Sequence, residues 1–405
     1  MLKLWNTFGK RMETFEPTNK EVVNIFTCGP SIYQRAHIGN FRTFLFEDVL
    51  VRYLEYLGYS VKRGMNFTDI EDKAIKEAMK RRKSLKRMTD ENIHEFIDDL
   101  HRLKMKTPDY LPRASESVEE AVEIIERLLD AKVAYWHRGN VYFDPLQVPR
   151  FGELYGLDMA RWPTARRRFH QDTYPGSRWN LGDFVLWHGH SKADDAYWET
   201  RIGRGRPSWN IQDPSMISKH FNETLSIYCG GLDNLIRHHD YTKAILESIR
   251  PYPMARYWLH CHHLYVDGQK MSKSKGNVYD VDDLMEFGYD INQVRFFLIY
   301  GHYRRRLHYS NRNMRAAADR LQRFRDTVLR IKAKADQSDH ADGGLGEKLT
   351  EIFMGHMDDD LNVKKVFDGL SKEIAKVNPS DVNPAQASGI VIHLERIDSV
   401  LRVIF

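Results

Sequence analysis

The sequence predicts an α/β fold: a doubly wound parallel sheet carrying an insertion, followed by an α-helical bundle. Two observations lead there. Residues 22–26 are a short β-branched and aromatic run broken by Thr27-Cys28-Gly29-Pro30, after which apolar residues return at helical spacing through Phe44, Val49, Leu50, Tyr53, Leu54 and Leu57. A buried strand, a loop and a helix in that order start an α/β unit, with a ligand expected at the carboxyl end of the strand. Beyond residue 310 the apolar period is helical throughout, over residues 314–334, 348–357, 363–377 and 390–403, with polar linkers at 336–346 and 378–384.

The intervening elements follow in order. Residues 61–67 read as the next strand, and Thr68-Asp69-Ile70-Glu71 then opens a charged helix in the manner of a capping box. A helix at 118–131 and a strand at 140–143 come next. Residues 144–208, rich in Trp, Arg and Gly, read as an irregular insertion, with strand-like runs at 184–187, 225–228 and 257–266 and a helix near 234–248. The expected organisation is an α/β catalytic domain over 1–310, with its insertion at about 112–208 and a mobile cationic loop region at 265–300, then a helical bundle over 311–405.

Composition narrows the class. At about 100–200 residues per domain, a chain of 405 residues holds several domains, and 42% hydrophobic residues supply enough core to exclude bulk disorder. No run of 18 apolar residues occurs, and the first fifteen residues lack an apolar core, so neither a membrane span nor a secretory leader is expected. Three cysteines (Cys28, Cys229, Cys261) with no CxxC pair exclude a disulfide framework and an all-cysteine metal site, and fit a reducing cytoplasm. Net charge is +5, but the excess is local: residues 301–334 hold eleven lysines and arginines against Asp319 and Asp326. Such a patch suits a polyanion, and it equally suits a solvated helix face.

Two motifs carry chemistry. His37-Ile38-Gly39-Asn40 lies between the first strand and the helix, where a phosphate meets unpaired helix amides and the positive end of the dipole. Gly39 lets a flat ring approach the backbone, and His37 can donate to a phosphate oxygen. Lys270-Met271-Ser272-Lys273-Ser274-Lys275 places three lysines in six residues, a loop able to clamp a triphosphate and offset charge building at its α-phosphate. The string His260-Cys261-His262-His263 is not a metal site, because neighbours on a strand point to opposite faces.

Together the two motifs resemble the paired signature of class I aminoacyl-tRNA synthetases. Residues 27–33 (TCGPSIY), 66–73 (NFTDIEDK), Pro112-Arg113-Ala114, Asp183-Phe184-Val185-Leu186-Trp187, Gly230-Gly231-Leu232-Asp233, His238-His239, Tyr257-Trp258-Leu259-His260, His302-Tyr303-Arg304 and residues 357–362 (MDDDLN) resemble the cysteinyl-tRNA synthetase family. The resemblance implies a Rossmann-like catalytic domain that uses ATP with Mg2+ to make an aminoacyl-adenylate and passes the acyl group to an acceptor. It implies that His37, Asn40, Lys270 and Lys273 stabilise the transition state, and that Gly29, Gly39, Met271 and Ser272 join them in holding the nucleotide. It implies that Asp233 pairs with the substrate ammonium, while Cys28, Thr68 and Trp209 line the amino-acid pocket.

Two departures from the family bear on substrate. Its zinc site uses two cysteines, a histidine and a glutamate. Cys28 and His238 stand at two of those positions, but Asp213 and Thr242 stand at the others. A metal held by Cys28, Asp213 and His238 is therefore expected to be weakly bound, which puts thiol selection in question. The chain also stops at Phe405, where the family continues into an anticodon-binding domain. That layout resembles the cysteine ligases of mycothiol biosynthesis, so the expected acceptor is a small-molecule amine and the expected form a monomer. The alternatives are a truncated enzyme charging tRNA, with Arg166-Arg167-Arg168 and Arg304-Arg305-Arg306 on its phosphates, and a non-catalytic nucleic-acid-binding paralogue.

Overall fold

A computed structural model describes residues 1–157, 183–190, 196–271, 276–335 and 344–405. The chain opens with a hairpin of β1 (Lys3–Asn6) and β2 (Arg11–Thr14). It then enters the predicted unit: β3 (Val23–Thr27), buried along its whole length, α1 (Ile38–Tyr56) and β4 (Val61–Met65). α2 (Asp72–Arg81), α3 (Leu85–Arg102) and α4 (Val118–Asp130) follow.

The described residues of the insertion form regular strands where its composition suggests irregular structure. β5 (Ala134–His137), β6 (Asn140–Phe143), β7 (Phe184–Gly189), β8 (Trp198–Thr200) and β9 (Gly203–Pro207) form an antiparallel sheet in the order β5-β6-β7-β9-β8. β9 reads Gly-Arg-Gly-Arg-Pro and has no apolar alternation, so nothing in its sequence marks a strand.

α5 (Trp209–His220), β10 (Leu225–Gly231), α6 (Asp240–Glu247) and β11 (Ala255–Cys261) complete the central layer. The expected strand at 257–266 is two strands. The chain leaves the central sheet after Cys261, at the polar pair His262-His263, and β12 (Leu264–Val266) pairs instead with β13 (Gln269–Lys270) and β14 (Leu307–Tyr309). α7 (Val281–Glu286) and α8 (Ile291–Ile299) precede β14, and α9 (Asn311–Lys332), α10 (Gly344–Met357), α11 (Val363–Ile374) and α12 (Pro384–Leu401) pack as a bundle.

The central sheet is wholly parallel, in the order β11-β10-β3-β4. From β3 the chain moves outward to β4 on one side, and later to β10 and β11 on the other. The order thus reverses between β3 and β10, the crevice where open α/β sheets bind ligands.

Two further expectations fail locally. Thr68 does not cap a helix: its N–H donates to the Pro30 carbonyl (3.2 Å) and its own carbonyl accepts from Ile32 (3.0 Å), so α2 starts later, with Glu71 at its N-cap. The helix expected over 234–248 begins instead as a 3-10 turn (Leu232–Asn234) and a π turn (Leu235–His239) before α6.

Buried charge joins the α/β layer to the bundle. Arg295 on α8 donates to Asp48 on α1 (2.7 Å) and to the Leu401 carbonyl of α12 (2.8 Å), and both side chains of the ion pair are fully buried. The long α9 is capped by Ser310, whose hydroxyl accepts from the Asn313 N–H (3.2 Å). Ser310→Ala is expected to cost about 1 kcal/mol, read as a lowered urea midpoint at unchanged slope.

Candidate active site

The unpaired amides expected at the start of the helix after β3 are largely used within the protein: the Ile38 N–H by the Tyr279 carbonyl and the Asn40 N–H by His37. His37 is the N-cap of α1 in an extended conformation (φ −102°, ψ 167°), and its Nδ1 accepts from the Asn40 N–H (3.2 Å), while Asn40 Oδ1 accepts from the His37 N–H (3.1 Å). Because Nδ1 is the acceptor, the proton of the neutral ring lies on Nε2.

Three contacts lock the two motif regions together. The Ile38 N–H donates to the Tyr279 carbonyl (2.9 Å). Arg35 pairs with Asp99 of α3 (2.9 Å) and with Asp282 of α7 (2.6 Å). A methyl added at Gly39 would lie 2.4 Å from the Met271 methyl, so a larger residue there would push the Met271 side chain aside. Gly29 is more tightly constrained, since its missing Cβ would meet the Asn66 backbone carbonyl oxygen at 1.9 Å.

A cavity of about 470 Å³ opens at the switch point. Cys28, Gly29, His37, Gly39, Asn40, Trp209, Asp233 and Met271 all line it, so most of the residues singled out in the sequence do come together. Thr68 does not line it; it is buried behind, with Oγ1 accepting from Asn66 (3.4 Å). Lys270 is placed through its backbone, paired with Tyr265 across β13 and β12. Ser272, Lys273 and Arg166-Arg167-Arg168 lie outside the described residues. Arg304 and Arg306 are engaged internally, Arg304 with Asp360 (2.5 Å) and over the Trp5 ring, Arg306 over the Tyr265 ring.

Behind Cys28 lies a buried polar network that sequence reasoning caught only in part. Asp213 Oδ2 accepts from Tyr228 (2.7 Å) and from the Cys28 thiol (3.2 Å), and pairs with His238 Nε2 (2.8 Å). His239 Nε2 meets Cys28 Sγ at 3.3 Å, His239 Nδ1 meets His260 Nε2 at 2.9 Å, and His260 Nδ1 meets Thr7 Oγ1 at 2.9 Å. The π turn lets the adjacent His238 and His239 both enter this network, and Trp209 stacks on His238 (4.3 Å). Burial pushes the Cys28 thiol well up, and the neighbouring Asp213 carboxylate adds to it. Burial also opposes the Asp213 charge, but His238, Tyr228 and Cys28 more than offset this and hold its carboxyl below the usual range. Burial keeps His239 and His260 neutral, His260 with a pKa near 3. Tyr228 and Thr7 carried no motif signal of their own, whereas His239 stood in the His238-His239 pair.

The ligating atoms of Cys28, Asp213 and His238 lie within 4.8 Å of one another, all buried. Asp213 Oδ1, His238 Nδ1 and Thr242 Oγ1 are buried without a hydrogen-bond partner. In number and compactness the three residues fit a divalent ion with one position left open, and Thr242 supplies no carboxylate to close it.

A parallel sheet with a capped histidine–asparagine helix start at its switch point defines a class I synthetase-type nucleotide site. The family described as tRNA synthetases class I (C) catalytic domain matches residues 14–319. Over its full length the chain is 36% identical to the cysteine--tRNA ligase of Chlamydia muridarum, covering 88% of that protein. It is 35% identical to that of Brachyspira hyodysenteriae, over 98% of this chain and 85% of the relative. Among solved structures, Mycobacterium tuberculosis methionyl-tRNA synthetase with methionyl-adenylate superposes with a TM-score of 0.65 at 14% identity, over 95% of this chain and 90% of that one. The chain belongs to the cysteinyl-tRNA synthetase family, and it is an ATP-dependent aminoacylating ligase. No helix among the described residues is long and apolar enough to cross a membrane.

Proposed function

We propose that this ligase activates an amino acid as its adenylate, with ATP and Mg2+, and transfers the acyl group to the amine of a small molecule. The observation that carries the acceptor assignment is a second cavity of small-molecule size beside the nucleotide site, whose walls carry Glu71, Asp72 and Asp183 against Lys73 and Arg206. Arg206 pairs with Asp72, and the remaining balance favours an ammonium over the phosphates of an incoming nucleic-acid strand.

In the first step a carboxylate oxygen of the amino acid attacks the α-phosphorus, the bond to the β-phosphate bridge breaks, and pyrophosphate leaves. No protein nucleophile is required, so positioning and charge carry the catalysis. On this reading the His37 Nε2–H and Asn40 meet the phosphates at the start of α1, and Lys270 and Lys273 offset the charge that builds there. Gly29, Gly39, Met271 and Ser272 frame the nucleotide. Asp233, exposed at the cavity wall, takes the substrate ammonium. Cys28, Trp209 and the more deeply set Thr68 bound the side-chain end. Cys28, Asp213 and His238 would hold a zinc ion there, whose contribution is affinity for a substrate thiolate.

A second reading, transfer to tRNA, is favoured by the relatives' activity and by α9, on which Arg312, Arg315, Arg323 and Arg330 are exposed. The rest of that basic run is engaged within the bundle: Arg320 with Asp368, Arg325 with Asp290 and Lys332 with Glu395.

Amino-acid-dependent pyrophosphate exchange over the standard amino acids identifies the acyl donor, and AMP release with added amine or added tRNA identifies the acceptor. We expect purified tRNA to bind weakly at physiological salt and to remain uncharged. Stoichiometric charging, with affinity falling steeply as salt rises, would replace the amine reading by the tRNA reading.

A further inference from the structure

The second cavity, about 620 Å³, lies between the insertion sheet and the start of α2, and it shares Ser31, Lys73 and Trp209 with the nucleotide-site cavity. A molecule bound there sits directly beside an adenylate formed next door. The volume is that of a small-molecule site.

Most of the charge on its walls is already committed. Arg206 donates to Asp72. Lys73 lies over the Tyr33 ring, 5.5 Å from its centre. Tyr135 donates its hydroxyl to Asp183. Glu71 is held more lightly. It holds the N-cap position of α2 yet makes no capping bond; Ser31 hydrogen-bonds its carboxylate, the Lys73 cation favours its charge, and Oε1 is buried with no partner. A cap residue on a cavity wall whose carboxylate keeps one oxygen without a partner has acceptor capacity left for a donor once the side chain turns toward a ligand.

The geometry points to this cavity as the acceptor subsite, and to Glu71 as the carboxylate that holds the acceptor's ammonium group and takes a proton from it. This rests on the amine reading above. Once Glu71 has taken one proton from R–NH3+, the nitrogen lone pair attacks the carbonyl carbon of the adenylate. The C–N bond forms, the C–O bond to the phosphate breaks with its electron pair leaving on AMP, and the second proton passes to solvent. Burial raises the Glu71 carboxyl above its usual range, which suits it to accept a proton. A ribose hydroxyl brings no cation for Glu71 to meet, whereas a primary amine brings both the charge and the proton.

The test uses the full chain with ethanolamine, serinol and 1,4-diaminobutane as probes, measuring pyrophosphate exchange and amine-dependent AMP release side by side. Glu71→Gln is expected to lower amine-dependent AMP release by about 10²-fold while exchange stays within about twofold. His188→Trp narrows the same cavity without touching Glu71 and is expected to raise the amine KM about tenfold at unchanged exchange. Should exchange in Glu71→Gln fall as well, the His188 variant decides. Amine-dependent release that is unchanged in Glu71→Gln, or an unmoved KM in His188→Trp, overturns the subsite and leaves the amine reading standing. Wild-type enzyme that releases AMP with tRNA and with none of the three amines overturns the amine reading itself.

Discussion

Alanine at Lys270 or Lys273 lowers amino-acid-dependent pyrophosphate exchange by about 10²–10³-fold, the usual loss when one charge that acts on the transition state is removed. The negative charge in this step grows on the α-phosphate and the departing pyrophosphate, and on the proposed reading these lysines meet it. Met271, directly after β13, lies against Gly39 of α1. The loss should therefore appear in kcat more than in the KM for ATP, because a loop charge that acts at the transition state adds little to ground-state binding. His37→Ala should combine two effects, loss of the Nε2 donor and loss of the α1 cap, so its unfolding midpoint should fall while those of the lysine variants stay in place. Near-wild-type exchange in both lysine variants would sink the assignment of this loop.

What the sequence made legible was the part governed by local pattern. The β3–α1 unit follows from the apolar run before Thr27 and the helical spacing after it. The histidine–asparagine motif landed at a helix start because its own side chains make the cap. Illegible were the features set by distant chain. β9 is a strand only because β7 and β8 flank it. Thr68 lost its capping role to backbone bonds with the loop at residues 30–32. The polar network behind Cys28 gathers Thr7, Asp213, Tyr228, His239 and His260, residues up to 253 positions apart, and no local pattern announces such a convergence. Glu71 was visible only as an acidic residue in a charged helix start; that it lies on a cavity wall depends on the insertion sheet packing opposite.

The same network governs the other large effect. Zinc should be lost from this protein on dialysis against a chelator, and the preference for cysteine over serine in adenylation should be about 10²-fold or less, the range a pocket reaches without a group that binds one substrate specifically. Soft thiolate ligands favour zinc and, through it, a substrate thiolate; here one sulfur, one imidazole and one carboxylate converge, and Thr242 is a poor fourth ligand. Asp213 Oδ2 is moreover shared among Cys28, Tyr228 and His238, so an ion bound through that oxygen displaces hydrogen bonds, and Oδ1 is the carboxylate oxygen left open to it. Restoring the soft set by Asp213→Cys with Thr242→Glu should reverse both readouts together, giving about one retained zinc per chain by elemental analysis and a steep rise in the cysteine-to-serine ratio. The two substitutions act on one site, so the double variant should exceed the sum of the single ones. One equivalent of zinc that survives the chelator in the unaltered protein, together with strong cysteine preference, would show instead that Asp213 replaces the missing thiolate in full.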